Sequence, residues 1–220
     1  MLSDDLEAFL PTVLPPHKGR QEDMLPHASA LDFPTIGHNA GSTLAMLAAA
    51  RGAQKVFEFG SGFGYSASWF LRGMEPGASI VLTEVDDDIE DAERFLADAT
   101  DQYELHFERD DALAVIQRYA GPFDIVLLDH DKAAYQQAFD LVVDKMAPGG
   151  LIIADNVLNG PVHYTDIMEY VDGAATMPDD PDAAGIVSYL QTVRDHPGAQ
   201  TTILPVDEGL AVSAIDPERF

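Results

Sequence analysis

A largely apolar run that ends in a charged cluster constrains the fold of this chain more than any other feature. Residues 123–128 are apolar apart from one aspartate, a pattern typical of a strand buried on both faces of a parallel sheet. The run ends abruptly in Asp129-His130-Asp131-Lys132. Because ligands bind beyond the carboxyl ends of the strands in open α/β sheets, we expect the chemistry of the protein at this cluster.

The rest of the chain alternates strand and helix patterns. This alternation predicts a doubly wound, mostly parallel α/β sheet with helices on both faces. Two runs near the end, joined through residues 207–209, predict an antiparallel hairpin and complete a Rossmann-like sheet of seven strands. Strands are predicted at 55–59, 79–84, 103–107, 123–128, 151–155, 200–206 and 210–215, and helices at 64–72, 88–99, 111–119, 132–146 and 186–195, with one more ending at residue 51.

The 220 residues are most simply one domain, 1–220. Residues 1–36 hold a short amphipathic stretch and five prolines, which forbid one long helix. We interpret them as an N-terminal arm that lies over the domain or over a partner subunit. Residues 173–185 are rich in proline and aspartate, and we interpret them as a variable loop over the active site.

The chain is strongly acidic, with 38 Asp and Glu residues against 12 Lys and Arg residues and a net charge of −26. Such an acid excess around an ordinary apolar content is typical of salt-adapted cytoplasms, where counterions screen the self-repulsion of the fold. An acidic surface for a cationic partner is the alternative interpretation. Nucleic-acid binding is disfavoured, because it depends on basic patches and none is visible.

The composition also limits the compartment and the kinds of site. No apolar run reaches the roughly 20 residues that span a bilayer, and the N-terminus is acidic where a signal peptide is basic. We therefore expect a cytoplasmic protein that binds no membrane. The absence of cysteine excludes disulfides, thiolate catalysis and cysteine metal sites.

Four predicted strands run from apolar residues into a carboxylate, at Glu58, Glu84, Asp129 and Asp155. A single carboxylate at the end of a strand is usually a turn or cap residue. Four of them at the same edge of one sheet would line one crevice. The sequence therefore predicts a binding site with several carboxylates.

A glycine-rich loop, residues 60–64, follows the first of these carboxylates. Glycines between a strand and a helix let a ligand approach the backbone and the helix N-terminus. A dinucleotide fingerprint requires glycine at position 65, where this chain has Tyr65. Glu84 ends the next strand, where a carboxylate accepts hydrogen bonds from ribose hydroxyls. A ribose-bearing ligand without a pyrophosphate fits, and S-adenosylmethionine is the obvious candidate.

Three motifs carry a family resemblance, at residues 58–66, 128–132 and 154–156. In this order and spacing they resemble the class I, metal-dependent O-methyltransferases, which include the catechol and caffeoyl-coenzyme A enzymes. The similarity extends from about residue 34 to residue 215. It implies methyl transfer from S-adenosylmethionine to a hydroxyl of a small catechol-like or phenolic acceptor, and it implies a homodimer.

The resemblance also implies a role for each matching residue. Lys132 would be the general base on the acceptor hydroxyl, with Asp129 beside it in the catalytic pair. Asp129, Asp155 and Asn156 would ligate a divalent metal, and two carboxylates with an amide oxygen suit Mg²⁺. The residues implied around the cofactor are Gly37, Glu58, Gly60, Ser61, Ser66, Glu84, Ala112 and Asp131.

Two other functions stay open at this point. Some microbial members of the superfamily methylate a hydroxylated RNA base, although the net charge of −26 weighs against RNA as a substrate. The other is a non-catalytic S-adenosylmethionine-binding protein, which would have no need of the lysine and the metal ligands. Asn159 and His163 are candidates to face the acceptor.

Overall fold

The computed structural model describes residues 4–216. Within this range one sheet contains seven strands: β1 (Lys55–Phe59), β2 (Ser79–Glu84), β3 (Glu104–Arg109), β4 (Phe123–Leu128), β5 (Met146–Ala154), β6 (Ala199–Leu204) and β7 (Leu210–Ile215). Their order across the sheet is β3-β2-β1-β4-β5-β7-β6. Strands β1 to β5 are parallel, and β7 is antiparallel to both β5 and β6. The predicted Rossmann-like sheet with an antiparallel terminal hairpin is confirmed.

Helices cover both faces of the sheet. In the described range they are α1 (Asp4–Val13), α2 (Arg20–Leu31), α3 (His38–Arg51), α4 (Tyr65–Gly73), α5 (Asp88–Leu96), α6 (Ala112–Arg118), α7 (Tyr135–Val142), α8 (Tyr164–Val171) and α9 (Pro181–Asp195). One apolar core contains Leu44 and Trp69, and the core on the other face contains Phe139 and Tyr189. None of the helices between residues 4 and 216 has the length and apolar content needed to cross a membrane.

Strand β1 lies at the centre of the sheet and connects the two cores. Val56 packs in the first core, whereas Phe57 and Phe59 pack in the second. Strand β1 pairs with β2 on one side and with β4 on the other, so the order of the strands reverses between β1 and β4. A crevice forms at such a reversal, beyond the carboxyl ends of the two strands.

The N-terminal segment is more helical than its prolines suggest. Pro11 and Pro26 lie inside α1 and α2, where each removes one backbone donor. Helix α2 packs on the domain, because Met24 and Ala28 are buried in the first core. The prediction that no single long helix spans this segment therefore holds for residues 4–36. Residues 1–3 of the predicted arm lie outside the described residues.

The sequence prediction is wrong about residues 132–146, which were expected to form one helix. Instead α7 is flanked by two 3₁₀ turns, Lys132–Ala134 and Val143–Lys145. Strand β5 then begins at Met146, five positions before the predicted start of the strand at 151. Its pairing with β4 is irregular near Phe123, which lets the strand continue through a segment with proline and two glycines.

Two further corrections concern the region before the hairpin. Helix α8, of eight residues, was not predicted. Residues 181–185, expected within the 173–185 loop, are the first turn of α9. Asp180 caps this helix by accepting a hydrogen bond from the N–H of Ala183 at 2.9 Å, and Pro181 occupies a position that favours proline.

The turn of the terminal hairpin contacts the N-terminus of helix α3. The carboxylate of Asp207 accepts hydrogen bonds from the backbone N–H of Ala40 and from Nδ2 of Asn39, both at 2.7 Å. Helix α3 has no cap from its own preceding residue, Gly37. The turn between β6 and β7 therefore supplies the N-terminal cap of α3 from the far end of the chain.

Candidate active site

The carboxyl ends of β1 and β4 meet at Gly60 and Asp129. The backbone N–H of Asp129 donates to the carbonyl of Phe59 at 2.9 Å. Gly60 has a φ angle of 79°, and a β-carbon there would lie 2.5 Å from the carbonyl oxygen of Asp129. Glycine is required on both counts, because only it combines this φ with no β-carbon. The glycine loop and the charged cluster are therefore in direct contact.

A cavity of about 480 Å³ opens beside this contact. It brings together most of the residues that the sequence predicted for the site. Those on its wall are Gly60, Ser61, Ser66, Glu84, Asp129, Lys132, Asp155 and Asn156. Residues 33–36, from the segment between α2 and α3, also line it.

Glu58 lies behind the cavity wall and is fully buried. Burial raises the pKa of its carboxyl to about 8, although the nearby hydroxyls of Ser66 and Ser61 lower it in part. Neither carboxyl oxygen makes a hydrogen bond of good geometry to any residue between 4 and 216. A buried carboxyl in this condition is stabilised by a cationic donor. A cationic group of a bound ligand would meet this requirement.

Glu84 is fixed at the end of β2 by the glycine loop. Its Oε2 accepts a hydrogen bond from the N–H of Gly62 at 3.0 Å, and its Oε1 accepts one from the N–H of Val85 at 2.7 Å. Because a carboxylate has about four lone-pair sites, it retains capacity for further donors. Oε1 also accepts a hydrogen bond of 3.3 Å from the N–H of Asp86, so the remaining capacity suits a further donor such as a ribose hydroxyl.

Lys132, which is buried, and Asp129, which is half-buried, form an ion pair on the cavity wall. Nζ of Lys132 lies 2.9 Å from Oδ1 of Asp129. Lys132 is only 8% exposed, which is unusual for a lysine and requires a partner of this kind. The pKa of Asp129 is raised by burial and is lowered in part by Lys132. The structure thus places the predicted base and a predicted metal ligand within one hydrogen bond.

Asp155 and Asn156 follow β5, next to this pair. Asp155 is 2% exposed, and its Oδ1 has no hydrogen-bond partner in the described part of the chain. Burial raises the pKa of Asp155 well above its usual range, and the charge of Asp129 adds to this effect. No group of three or more His, Cys, Asp or Glu side chains is arranged for metal binding among residues 4–216.

The residues nevertheless fit a hard divalent cation. A cation beside Asp129 and Asp155 would relieve the repulsion between the half-buried carboxylate of Asp129 and the buried one of Asp155, and give the orphan oxygen of Asp155 a partner. The amide oxygen of Asn156 would complete a set of oxygen donors, which Mg²⁺ prefers. The donor set therefore suits such an ion.

Besides Glu58, three predicted cofactor residues do not line the first cavity. Gly37 lines a second cavity of about 760 Å³, which shares Thr35 with the first. Ala112 is the buried first residue of α6. The carboxylate of Asp131 accepts a hydrogen bond from the N–H of Ala133 at 3.1 Å and so caps the turn that carries Lys132. Their predicted contacts with the cofactor stay predictions.

Sequence reasoning missed Glu208, which lines both cavities. Its charge adds to the effect of burial in raising the pKa of Asp129 and Asp155. Nδ2 of Asn156 donates a hydrogen bond to its carboxylate. In the sequence Glu208 is only one residue of a hairpin turn, and no motif next to it indicates a role in the site.

The family model for O-methyltransferases matches residues 25–213. The chain belongs to the O-methyltransferase family. The match covers almost the whole described range and confirms the resemblance to class I, S-adenosylmethionine-dependent enzymes that the three sequence motifs carry. This O-methyltransferase is therefore an enzyme of the methyl-transferring class.

Relatives and solved structures agree with this assignment. A catechol O-methyltransferase of Mycobacterium tuberculosis is 29% identical over 206 residues, which cover 91% of this chain and 88% of the relative. A catechol O-methyltransferase of Niastella koreensis is 29% identical over 129 residues, which cover 56% of this chain and 58% of the relative.

Two solved structures are similar over nearly their full length. The cofactor-bound Rv0187 protein from MTB has a TM-score of 0.77 at 28% identity and covers 96% of both chains. An O-methyltransferase from Bacillus cereus, in complex with SAH, has a TM-score of 0.78 at 24% identity and covers 96% of this O-methyltransferase and 97% of that chain. The second likeness shows the shared fold.

Proposed function

We propose that this O-methyltransferase transfers the methyl group of S-adenosylmethionine to a hydroxyl of a small catechol-like or phenolic acceptor, assisted by a divalent metal, Mg²⁺ above all. One observation carries the proposal. Lys132, Asp129, Asp155 and Asn156 lie on the wall of the same cavity as the glycine loop. A protein that only bound the cofactor would have no use for a buried lysine beside the two carboxylates of Asp129 and Asp155.

Two acidic positions would hold the cofactor. Glu58 would bind its amino group, because an adjacent cation favours the ionised form of a carboxyl whose pKa burial raises to about 8. Glu84 would accept the ribose hydroxyls, with its orientation set in advance by Gly62. The missing side chain at Gly60 would let the ligand approach the backbone. Ser61 and Ser66 would contribute hydroxyls around the methionine end of the cofactor.

Lys132 would accept the proton of the acceptor hydroxyl in its neutral amine form, which a divalent cation held beside it would favour over the ammonium. Asp129, Asp155 and Asn156 would hold the metal, which lowers the pKa of a hydroxyl beside it. The hydrogen bond from Nζ of Lys132 to Asp129 holds the lysine beside the residues that would bind the metal and the acceptor hydroxyl. Proton removal and the alignment of the two substrates in one cavity would then supply the rate enhancement.

The second cavity offers room for the remainder of the acceptor. It adjoins the first through Thr35 and Glu208. Asn159 and Tyr164 line it, so it combines polar groups with an aromatic ring. His163 instead caps α8 through the N–H of Thr165, at 3.3 Å. We therefore favour Asn159 over His163 as a residue that faces the acceptor.

The test is transfer of a radiolabelled methyl group to a panel of catechols, monophenols and RNA, in high salt. Each acceptor is assayed with Mg²⁺, with a chelator, and with Mg²⁺ restored. We expect transfer to catechols that chelation abolishes and Mg²⁺ restores. Transfer that is unaffected by the chelator would exclude a role for the metal. Transfer to RNA alone would mean that RNA, and not a small phenolic compound, is the acceptor. Cofactor binding without transfer to any acceptor would indicate a non-catalytic protein that binds S-adenosylmethionine.

A further inference from the structure

The turn between β6 and β7 is fastened to the loop that follows β5. The backbone N–H groups of Leu158 and Asn159 donate to the carbonyl of Glu208 at 3.1 and 2.9 Å, and that of Val157 donates to the carbonyl of Gly209 at 3.1 Å. These three bonds use main-chain atoms only. They hold the turn in place whatever side chain stands at position 208.

From this fixed turn the side chain of Glu208 extends to Asn156. Nδ2 of Asn156 donates a hydrogen bond to Oε2 of Glu208. The space around the contact is narrow, because a β-carbon on Gly160 would lie 2.9 Å from the same oxygen. Asn156 has a φ angle of 59°, a conformation that asparagine tolerates better than most residues. The backbone and the side-chain contact together restrict how Asn156 can lie.

A carboxylate selects one orientation of a neighbouring amide. The amide has a donor end and an acceptor end of nearly equal size, whereas an ionised carboxylate only accepts. Reversing the amide of Asn156 would set its Oδ1 against Oε2 of Glu208, and the two acceptors would repel each other. Oδ1 is thereby left as the atom that Asn156 can offer to a ligand in the cavity that it lines.

We propose that Glu208 is a positioning residue, which holds the amide of Asn156 with its oxygen available to the divalent metal. The proposal rests on the proposed function, because it takes Asn156 as a metal ligand. Glu208 acts through Asn156 and does not bind the metal itself. Groups that orient metal ligands from outside in this way typically contribute about 10–100-fold to metal affinity.

The experiment compares two substitutions at position 208 in the full-length protein. Glu208→Gln keeps the length and an oxygen acceptor but removes the charge, whereas Glu208→Met keeps the length and removes both. Mg²⁺ affinity is measured by calorimetry and Mn²⁺ affinity by electron paramagnetic resonance, without an acceptor. We expect Glu208→Met to lower the affinity by about 10–100-fold. We expect Glu208→Gln to lower it by less, because its amide can still present an oxygen to Nδ2 of Asn156 although it no longer excludes the reversed orientation.

Asp207→Asn is the matched control, because it alters the same turn without touching Asn156. Its metal affinity should not change, and the affinity for S-adenosylmethionine should be the same in all variants. In turnover, Glu208→Met should show a raised KM for Mg²⁺ with kcat recovered at saturating Mg²⁺. A general loss of structure would not produce this pattern.

Three results would overturn the proposal. Equal losses in Glu208→Gln and Glu208→Met would mean that the charge of Glu208 acts on the metal directly. Unchanged affinity in Glu208→Met would mean that the contact with Asn156 has no effect on the metal. Absence of divalent metal binding in the wild-type protein would contradict the proposed metal-dependent function. This failure can be told apart from a failure of the Glu208 proposal, because it is seen in the wild-type protein before any variant is measured.

Discussion

The side-chain amine of Lys132 donates a hydrogen bond of 2.9 Å to Oδ1 of Asp129, inside a cavity that both residues line. The two residues are three positions apart at the end of β4, so one short turn sets their separation. Asp131 fixes that turn by accepting from the N–H of Ala133. The proposed base is therefore held by its own neighbours in the chain before any ligand binds.

Replacing this lysine should separate catalysis from binding. We expect Lys132→Ala to keep its affinity for S-adenosylmethionine in calorimetry and to lose about 10²–10⁴-fold in kcat, the usual contribution of a general base. Lys18→Ala, at an exposed lysine that does not line the cavity, is the control and should behave as the wild-type protein. If cofactor binding and turnover fell together, or if neither changed, Lys132 would not be the base.

The buried carboxyl of Glu58 should make stability depend on pH. Its pKa in the folded protein is about 8, against 4.5 for the free side chain, because burial disfavours the charged form. The unfolded chain loses this proton first, so the free energy of unfolding should fall as pH rises from about 4.5 to about 8. Glu58→Gln should remove about 1.4 kcal/mol of this decline per pH unit.

Urea unfolding of the cofactor-free protein between pH 5 and pH 9 measures this effect. The difference between the wild-type protein and Glu58→Gln isolates Glu58 from the other titrating groups. The variant should gain relative stability as pH rises through the window. A difference that does not vary with pH would show that Glu58 is ionised in the folded protein at acidic pH.

Gly60 should tolerate no side chain. Gly60→Ala would add strain at a φ angle of 79° and would press a β-carbon against the carbonyl of Asp129. Gly77→Ala is the matched control, because Gly77 has a φ angle of 91° but nothing within 4 Å of its β-carbon position.

We expect Gly77→Ala to cost about 1–2 kcal/mol for the backbone alone. Gly60→Ala should cost clearly more and should also weaken cofactor binding, which the control should leave intact. Thermal unfolding and calorimetric titration provide the two measurements. Equal losses of stability at the two positions would mean that the glycine loop and the charged cluster can move apart at little cost in free energy.

The cap that Asp207 provides to α3 should have the strength of an ordinary helix cap. Asp207→Gly retains the positive φ angle of this residue and removes both acceptor bonds to Ala40 and Asn39. We expect a loss of about 0.5–2 kcal/mol in the free energy of unfolding. Chemical denaturation gives this value directly. A variant as stable as the wild-type protein would show that water replaces the cap without cost.

The excess of acidic residues should make the fold depend on salt. With 38 acidic against 12 basic residues, repulsion between exposed carboxylates opposes the compact state in dilute buffer. The screening length falls from about 10 Å at 0.1 M to about 3 Å at 1 M. We propose adaptation to a salt-rich cytoplasm and expect the melting temperature to rise with KCl over this range. A melting temperature independent of KCl would contradict it.

The sheet was predictable because local pattern and tertiary environment agree along most of it. Strands β1, β2 and β4 are buried on both faces, and each reads as an apolar run closed by a carboxylate. The prediction failed where the local sequence pattern and the tertiary environment favour different structures. Strand β5 begins in a segment with Pro148 and two glycines, and pairing with β4 decides its conformation rather than the propensity of its residues.

The candidate site was predictable to the extent that it lies at strand ends. Asp129, Lys132 and Asp155 follow buried strands directly, so the rule for parallel sheets locates them. Glu208 follows no such rule. It is 52 positions from Asn156 along the chain, and the two meet only because β7 inserts between β5 and β6. Contacts made by the antiparallel hairpin depend on register, which a single sequence specifies weakly.

The hairpin turn that holds both α3 and Asn156 is synthesised after the elements that it fastens. A ribosome releases the glycine loop and the charged cluster before Asp207 and Glu208, so the nascent chain cannot cap α3 or anchor the amide until this turn emerges. Translation that stops before this turn would release a protein with its parallel strands and an incomplete site. Completion of the site is thus coupled to synthesis of the hairpin.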